Sequence, residues 1–180
     1  MAYKNKIQGW MHDCEVDFLF RAVGGLEPGS LVVEVGCWKG RGSHAIASGA
    51  KGLMDLHFVD TFAGAETNPA QKKAAIKEDI LQAFKNNMDG FNKTIHVKDS
   101  ALAAKDFKDK AIDFLFLDAN HDYKYVLKDV NAWLPKIKKG GIFCGHDYKD
   151  GYKGVKQAVD EMFVDKKINL YPDSIWSVRL

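Results

Sequence analysis

Residues 31–43, LVVEVGCWKGRGS, constrain what this chain can fold into more than any other stretch. Leu31, Val32, Val33 and Val35 form an apolar run broken only by Glu34, and Gly36, Gly40, Gly42 and Ser43 follow at once. That order reads as a buried strand entering a glycine turn that opens a helix. Glycine takes positive φ at such a turn and leaves the backbone open to a ligand. The helix beyond it offers free N–H groups and the positive end of its dipole. The spacing G-x-x-x-G-x-G is neither the dinucleotide fingerprint nor a P-loop, which ends in G-K-[ST]. With Glu34 just ahead of Gly36, a nucleotide-like ligand carrying a cation fits best.

The rest of the chain alternates helical and strand patterns. Val16, Leu19, Phe20 and Val23 recur at helical spacing before Gly24 and Gly25. LHFVD at 56–60 is a second strand ending on an acid, and Pro69 opens a helix after the loop that follows. Ile76, Ile80, Phe84 and Met88 mark one face of a long helix that Gly90 ends. Residues 94–97 form a third strand, after which Asp99 and Ser100 open a brief helix. IDFLFL at 112–117 is the fourth strand and delivers Asp118, Asn120, His121 and Asp122 into a loop. Val126, Leu127, Val130, Trp133, Leu134 and Ile137 give an amphipathic helix, which Gly140 and Gly141 turn into the strand GIFCG ending on His146 and Asp147. A last helix carries Val155, Val159, Met162 and Phe163, and INLY and IWSVRL close as a hairpin through Pro172, Asp173 and Ser174. Alternation of this kind predicts an α/β, doubly wound, Rossmann-like sheet, mostly parallel, with an antiparallel C-terminal edge hairpin.

A length of 180 residues with 46% hydrophobic and 12% aromatic residues fits one globular domain. The net charge of +2 gives no reason to expect nucleic acid as a partner. No apolar run reaches the roughly 20 residues of a membrane span, so no membrane partner is expected either. Cys14, Cys37 and Cys144 are widely spaced, which points to a reduced, cytoplasmic compartment with the thiols as small core residues.

Ligands of such sheets bind outside the carboxyl ends of the strands. Here those ends carry Glu34 and Gly36, then Asp60, Asp99, Asp118, and finally His146 with Asp147. Asp60 stands where an acid holds the ribose hydroxyls; a turn cap is the alternative. Asp99 accepts from an adenine amino group or, with Ser100, caps the short helix.

Taken together, EVGCWKGRGS, LHFVDTF, VKDS, IDFLFLDANHDY and GGIFCGHDY resemble the class I S-adenosylmethionine-dependent methyltransferases, in the branch of small-molecule and sugar O-methyltransferases. Catechol and caffeoyl-CoA enzymes are more distantly similar. The resemblance implies a seven-stranded sheet of order 3-2-1-4-5-7-6. It also implies a single cofactor-binding domain over 31–180. The helical segment 1–30 before it lies outside the resemblance and, with Tyr3 and Trp10, is expected to help cover the acceptor. Glu34, Gly36 and Gly40 match the motif that holds the methionine part of S-adenosylmethionine. Asp60 matches the ribose acid, with Thr61 beside it, and Asp99 and Ser100 match the adenine pair. Trp38 contacts the cofactor or packs over the turn, and Asp118 borders the same site.

Methyl transfer to oxygen needs an in-line donor, a hydroxyl nearby and removal of its proton. Asp118, His121, His146 and Asp147 are the candidates for that removal, in either of two designs. In one, Asp118, His146 and Asp147, with Asn120 beside them, hold a divalent metal such as magnesium or manganese; a histidine ligand tilts the choice toward manganese, iron or zinc. In the other, His121 or His146 is the general base and Asp118 or Asp147 orients it. The expected activity is O-methylation of a small molecule or sugar. A phenolic acceptor, a cofactor-binding module without turnover and a nicotinamide oxidoreductase are the alternatives. Cover for the acceptor comes from the amino-terminal segment, the loop 61–71, or a second subunit of a homo-oligomer.

Overall fold

The computed structural model describes residues 2–171 and 173–180. Five strands run parallel: β1 (Leu31–Val35), β2 (Asp55–Asp60), β3 (Thr94–Val97), β4 (Ile112–Leu117) and β5 (Ile137–Gly145). Two short strands, β6 (Asn169–Leu170) and β7 (Trp176–Arg179), complete one seven-stranded sheet in the order β3-β2-β1-β4-β5-β7-β6. β7 lies antiparallel to both β5 and β6, as the terminal hairpin pattern predicts. Pro172, assigned to the turn of that hairpin, lies outside the described residues.

Strand alternation divides the core into two layers. Val32, Phe58, Phe114 and Phe116 face α1 (Asp13–Gly24), α2 (Arg41–Ala50) and α4 (Ile80–Asn87). Val33, Val59, Leu115 and Phe143 face the other way, toward α6 (Tyr123–Trp133) and α7 (Lys153–Met162). On α6, Val126, Val130 and Trp133 are the buried apolar stripe, spaced for an α-helical face. The small residues of α2 let it approach α1 closely: a Cβ on Gly49 would run into the Phe20 carbonyl.

Register fixes where the loops emerge. Val35 is level with Val59 and Leu117, and Leu117 with Gly145. Gly36, Asp60, Asp118 and His146 therefore leave the sheet at one edge, side by side.

Three local expectations are corrected. The long helix after Pro69 is two helices, α3 (Pro69–Lys77) and α4, because Glu78 is extended and Asp79 starts a new helix by accepting from the Gln82 N–H at 2.9 Å. Ile76 is consequently 87% exposed, whereas Ile80, Phe84 and Met88 are buried. Ile137 belongs to β5, not α6: Pro135 ends the helix through a 3-10 turn, and Ile137 pairs with Ile112 before a register shift that Gly140, at φ 81°, accommodates. Of the three cysteines, Cys37 and Cys144 are buried but Cys14 is exposed.

On β2 and β3, His57 Nδ1 and His96 Nε2 lie 2.8 Å apart, with Asp55 3.2 Å from His57 and Asp106 3.6 Å from His96. Burial first, then the His57 charge, pulls the His96 pKa below its ordinary value, against the attraction of Asp106. A lowered histidine value favours the neutral ring in the fold, so its contribution is present above the unfolded value, roughly pH 6.5, and is lost as pH falls below it. His96→Asn should thus flatten the fall in urea stability between about pH 7 and 5 relative to wild type; equal slopes for the two proteins would contradict this.

Candidate active site

The turn after β1 is held by an acid from β2. Asp60 Oδ2 accepts from the Cys37 and Trp38 N–H groups at 2.7 and 2.8 Å, and Oδ1 accepts from Phe62 at 2.7 Å. The carboxylate is therefore a turn brace, and its remaining lone pairs are those that a ligand hydroxyl could use. Trp38 adopts φ 49° within this brace. Gly36, at φ 89°, meets β4 so closely that a Cβ would overlap the Asp118 carbonyl. Gly40, at φ 91°, starts α2 and faces Phe84 and Met88, so it shapes the turn from behind.

A cavity of about 520 Å³ lies over this edge. Glu34, Gly36, Trp38, Asp60 and Thr61 line one part, and Asp118, His121, His146 and Asp147 line another. Asp99 and Ser100 border it too, but both are already engaged. Asp99 caps α5 (Ser100–Ala103) through the Leu102 N–H at 3.2 Å and pairs with Lys128, while Ser100 accepts from Trp133 Nε1 at 2.9 Å. Asp129 on α6, pushed up to about 6 chiefly by burial, faces the same region and was not singled out by its sequence context.

Glu34 is buried and bonded by the Ser43 hydroxyl. Burial raises its carboxyl to about 8, with Asp118 adding repulsion, so the group keeps its proton near neutrality.

At the far end the loop ends of β4 and β5 converge. His121 Nε2 is 3.1 Å from Asp147 and 3.6 Å from Asp118; His146 Nδ1 is 3.3 Å from Asp147 and 3.6 Å from Asp118. Burial opposes ionisation of Asp118, yet the charges on His146 and His121 hold it down to about 2. Burial likewise lowers both imidazoles, but the carboxylates around them win and raise both. Ligand-capable atoms of Asp118, His121 and Asp147 lie within 4.8 Å of one another. His121 Nε2 is also buried without a well-angled hydrogen-bond partner. Two carboxylates and an open imidazole nitrogen form a donor set that suits a divalent metal. His121 is the imidazole of that cluster, while His146, expected in the metal set from the family resemblance, has Nε2 bonded to Glu15 at 2.8 Å and turns Nδ1 to the same two carboxylates.

Cover comes from two segments. Gln8 to Met11 line the cavity, with Trp10 packed on Trp38 at a centroid distance of 5.4 Å, and Arg41 pins this strap through the carbonyls of Asn5, Ile7 and Met11. Tyr3 sits away from the cavity, stacked on Phe20. The loop after β2 is tied across by Thr67 to Asn120 and by Tyr125 to Glu66, at 3.1 and 3.0 Å.

Residues 33–148 match the model of a family described as a methyltransferase domain, and the chain belongs to that family. Its fold is shared by CalS11, a TDP-rhamnose 3'-O-methyltransferase of calicheamicin biosynthesis, at a TM-score of 0.61 and 19% identity over 91% of this chain and 76% of that one. A methyltransferase of Podospora anserina, solved with S-adenosylhomocysteine bound, gives a TM-score of 0.66 and 16% identity over 94% and 79%. A protein of Acanthamoeba polyphaga mimivirus is 27% identical over 142 residues, which is 77% of this chain and 62% of that protein. The chain thus spans about three fifths of that relative's length.

Two outcomes follow for the turn. Gly36→Ala, adding backbone overlap to a positive φ, should cost more than about 3 kcal/mol in denaturant unfolding; a loss under about 1 kcal/mol would mean that β1 and β4 do not meet here. Because the folded Glu34 value is raised, its contribution is full below about pH 4.5 and is lost as pH rises toward about 8. Ligand-free Glu34→Gln should then gain on wild type by up to roughly 1.4 kcal/mol per pH unit across that window; a constant difference would show Glu34 to be ionised throughout.

Proposed function

We propose that the chain is an S-adenosylmethionine-dependent methyltransferase that methylates a hydroxyl of a small molecule or sugar. The observation that carries this reading is one cavity joining the braced glycine turn to the Asp118, His121 and Asp147 cluster. A binding module without turnover has no need of the second half. The sugar preference rests on likeness to CalS11, whose name gives a sugar nucleotide as its substrate; a phenolic acceptor is the second choice.

In this reading Glu34 holds the ammonium of the methionine end beside the glycine turn, Asp60 and Thr61 the ribose, and Asp99 with Ser100 the adenine end. When bound, the cofactor supplies an electrophilic methyl group on a sulfonium sulfur. No phosphate needs neutralising, which agrees with a site rich in carboxylates. Asp118, His121 and Asp147 would hold a divalent metal, which would lower the pKa of the acceptor hydroxyl. An imidazole in the set favours manganese, iron or zinc over magnesium. Without metal, His121 is the better placed general base, since His146 already spends Nε2 on Glu15. The strap with Trp10 closes over the acceptor.

Incubating the full chain with S-adenosylmethionine and a panel of sugar nucleotides, free sugars, phenols and amines, with manganese, magnesium or chelator, tests this by mass spectrometry. Methylation of a hydroxylated member is expected, and Asp147→Asn should lower it by about a hundredfold or more while S-adenosylhomocysteine affinity stays within about threefold. Methylation confined to amines would overturn the oxygen acceptor.

A further inference from the structure

Glu15, an acid in the first turn of α1, stands outside the family-matched residues. It shares the inward face of α1 with Val16, Leu19 and Val23 and is fully buried, 0% exposed. An unpaired carboxylate there would be strongly destabilising. Each oxygen is used. Oε2 accepts from the His12 N–H at 2.8 Å, which caps the helix. Oε1 is 2.8 Å from His146 Nε2 and accepts from the Ser174 hydroxyl, also at 2.8 Å.

A helix cap needs neither of the Oε1 contacts, and both lead to the same place. His146, only 6% exposed, is gripped at Nε2 and so turns Nδ1 toward both carboxylates, 3.3 Å from Asp147 and 3.6 Å from Asp118. Ser174 in turn accepts from the Asp147 N–H at 3.3 Å. Asp147 holds φ 61°, a left-handed conformation costly for a residue with a Cβ, and it persists only where its surroundings fix it. One carboxylate on the amino-terminal helix thereby controls the ring behind the carboxylate pair and the backbone of one member of it.

We infer that Glu15 is a positioning residue: through His146 and Ser174 it sets the orientation of the Asp118 and Asp147 carboxylates that receive the acceptor hydroxyl or its metal. His146 then acts from behind the carboxylates as their clamp. Outer partners of this kind typically change metal affinity by about 10–100-fold when removed. The effect on metal rests on the function proposed above; the effect on His146 does not.

The test uses the full chain labelled with 15N-histidine, as wild type, Glu15→Met and Glu15→Gln. Among the six histidines, His146 should show a slowly exchanging, strongly hydrogen-bonded Nε2 proton, assigned by its loss in His146→Asn. That signal should vanish in Glu15→Met, which keeps the side-chain volume but has no acceptor oxygen, and return in part in Glu15→Gln, whose amide oxygen can accept, with the other histidine signals in place as evidence of folding. An unchanged His146 signal in Glu15→Met would overturn the inference. Manganese titration followed by electron paramagnetic resonance supplies the second readout. Glu15→Met should bind about tenfold more weakly or worse, with S-adenosylhomocysteine affinity within about twofold. Equal manganese affinity would remove the effect on the carboxylates and with it the inference. Wild type that binds no manganese would instead count against the metal in the proposed function, and the histidine signals would still decide the role of Glu15.

Discussion

The site depends on the contact where β1 and β4 leave the sheet. The Asp118 N–H donates to the Val35 carbonyl and the Gly36 N–H to the Val59 carbonyl, both at 2.8 Å, so three neighbouring strands end on one line. Only a residue without a Cβ can sit at 36, because the Asp118 carbonyl occupies the space. That single close approach puts the glycine turn beside Asp118, so the two halves of the cavity meet there. The Asp60 brace then fixes the turn from which α2 rises.

Electrostatics at this edge are balanced by pairing more than by solvent. Glu34 escapes the cost of burial by keeping its proton, whereas Asp118 stays ionised because two imidazoles face it. The two carboxyl groups thus answer the same burial in opposite ways, and each answer suits a different task. A protonated Glu34 can ionise to meet an ammonium, and an ionised Asp118 can take a metal or steer a proton. Lys39, nearly buried, bonds Gln8 and Glu78 at 2.6 and 2.5 Å and so ties the strap and the break between α3 and α4 to the same turn.

Much of this was legible in the sequence because strand ends in a parallel sheet are also where polar residues interrupt apolar runs. Glu34, Asp60, Asp118, His146 and Asp147 each follow or break such a run, and register brings them together without further information. What was not legible lies in contacts between segments distant along the chain. Glu15 reaches His146 across 131 positions, and no local pattern encodes that pairing. The signal available was an acid on the same helical face as Val16 and Leu19, which the apolar spacing alone passes over. Ile137 and Ile76 misled for a different reason: Ile137 continued a helical spacing that Pro135 had already ended, and Ile76 lies before the Asp79 cap, in a separate helix from Ile80, whose spacing it shares.

Calorimetric titration of the purified chain with S-adenosylhomocysteine bears most directly on the central claim, that the cavity over the braced turn is a methyl-donor site. One-to-one binding that releases protons near pH 7 is expected, seen as a heat that changes with the ionisation enthalpy of the buffer, as Glu34 ionises to meet the ligand ammonium. Absence of binding across ligand concentrations up to about millimolar, with and without manganese, would leave the fold intact and contradict the assignment of the cavity.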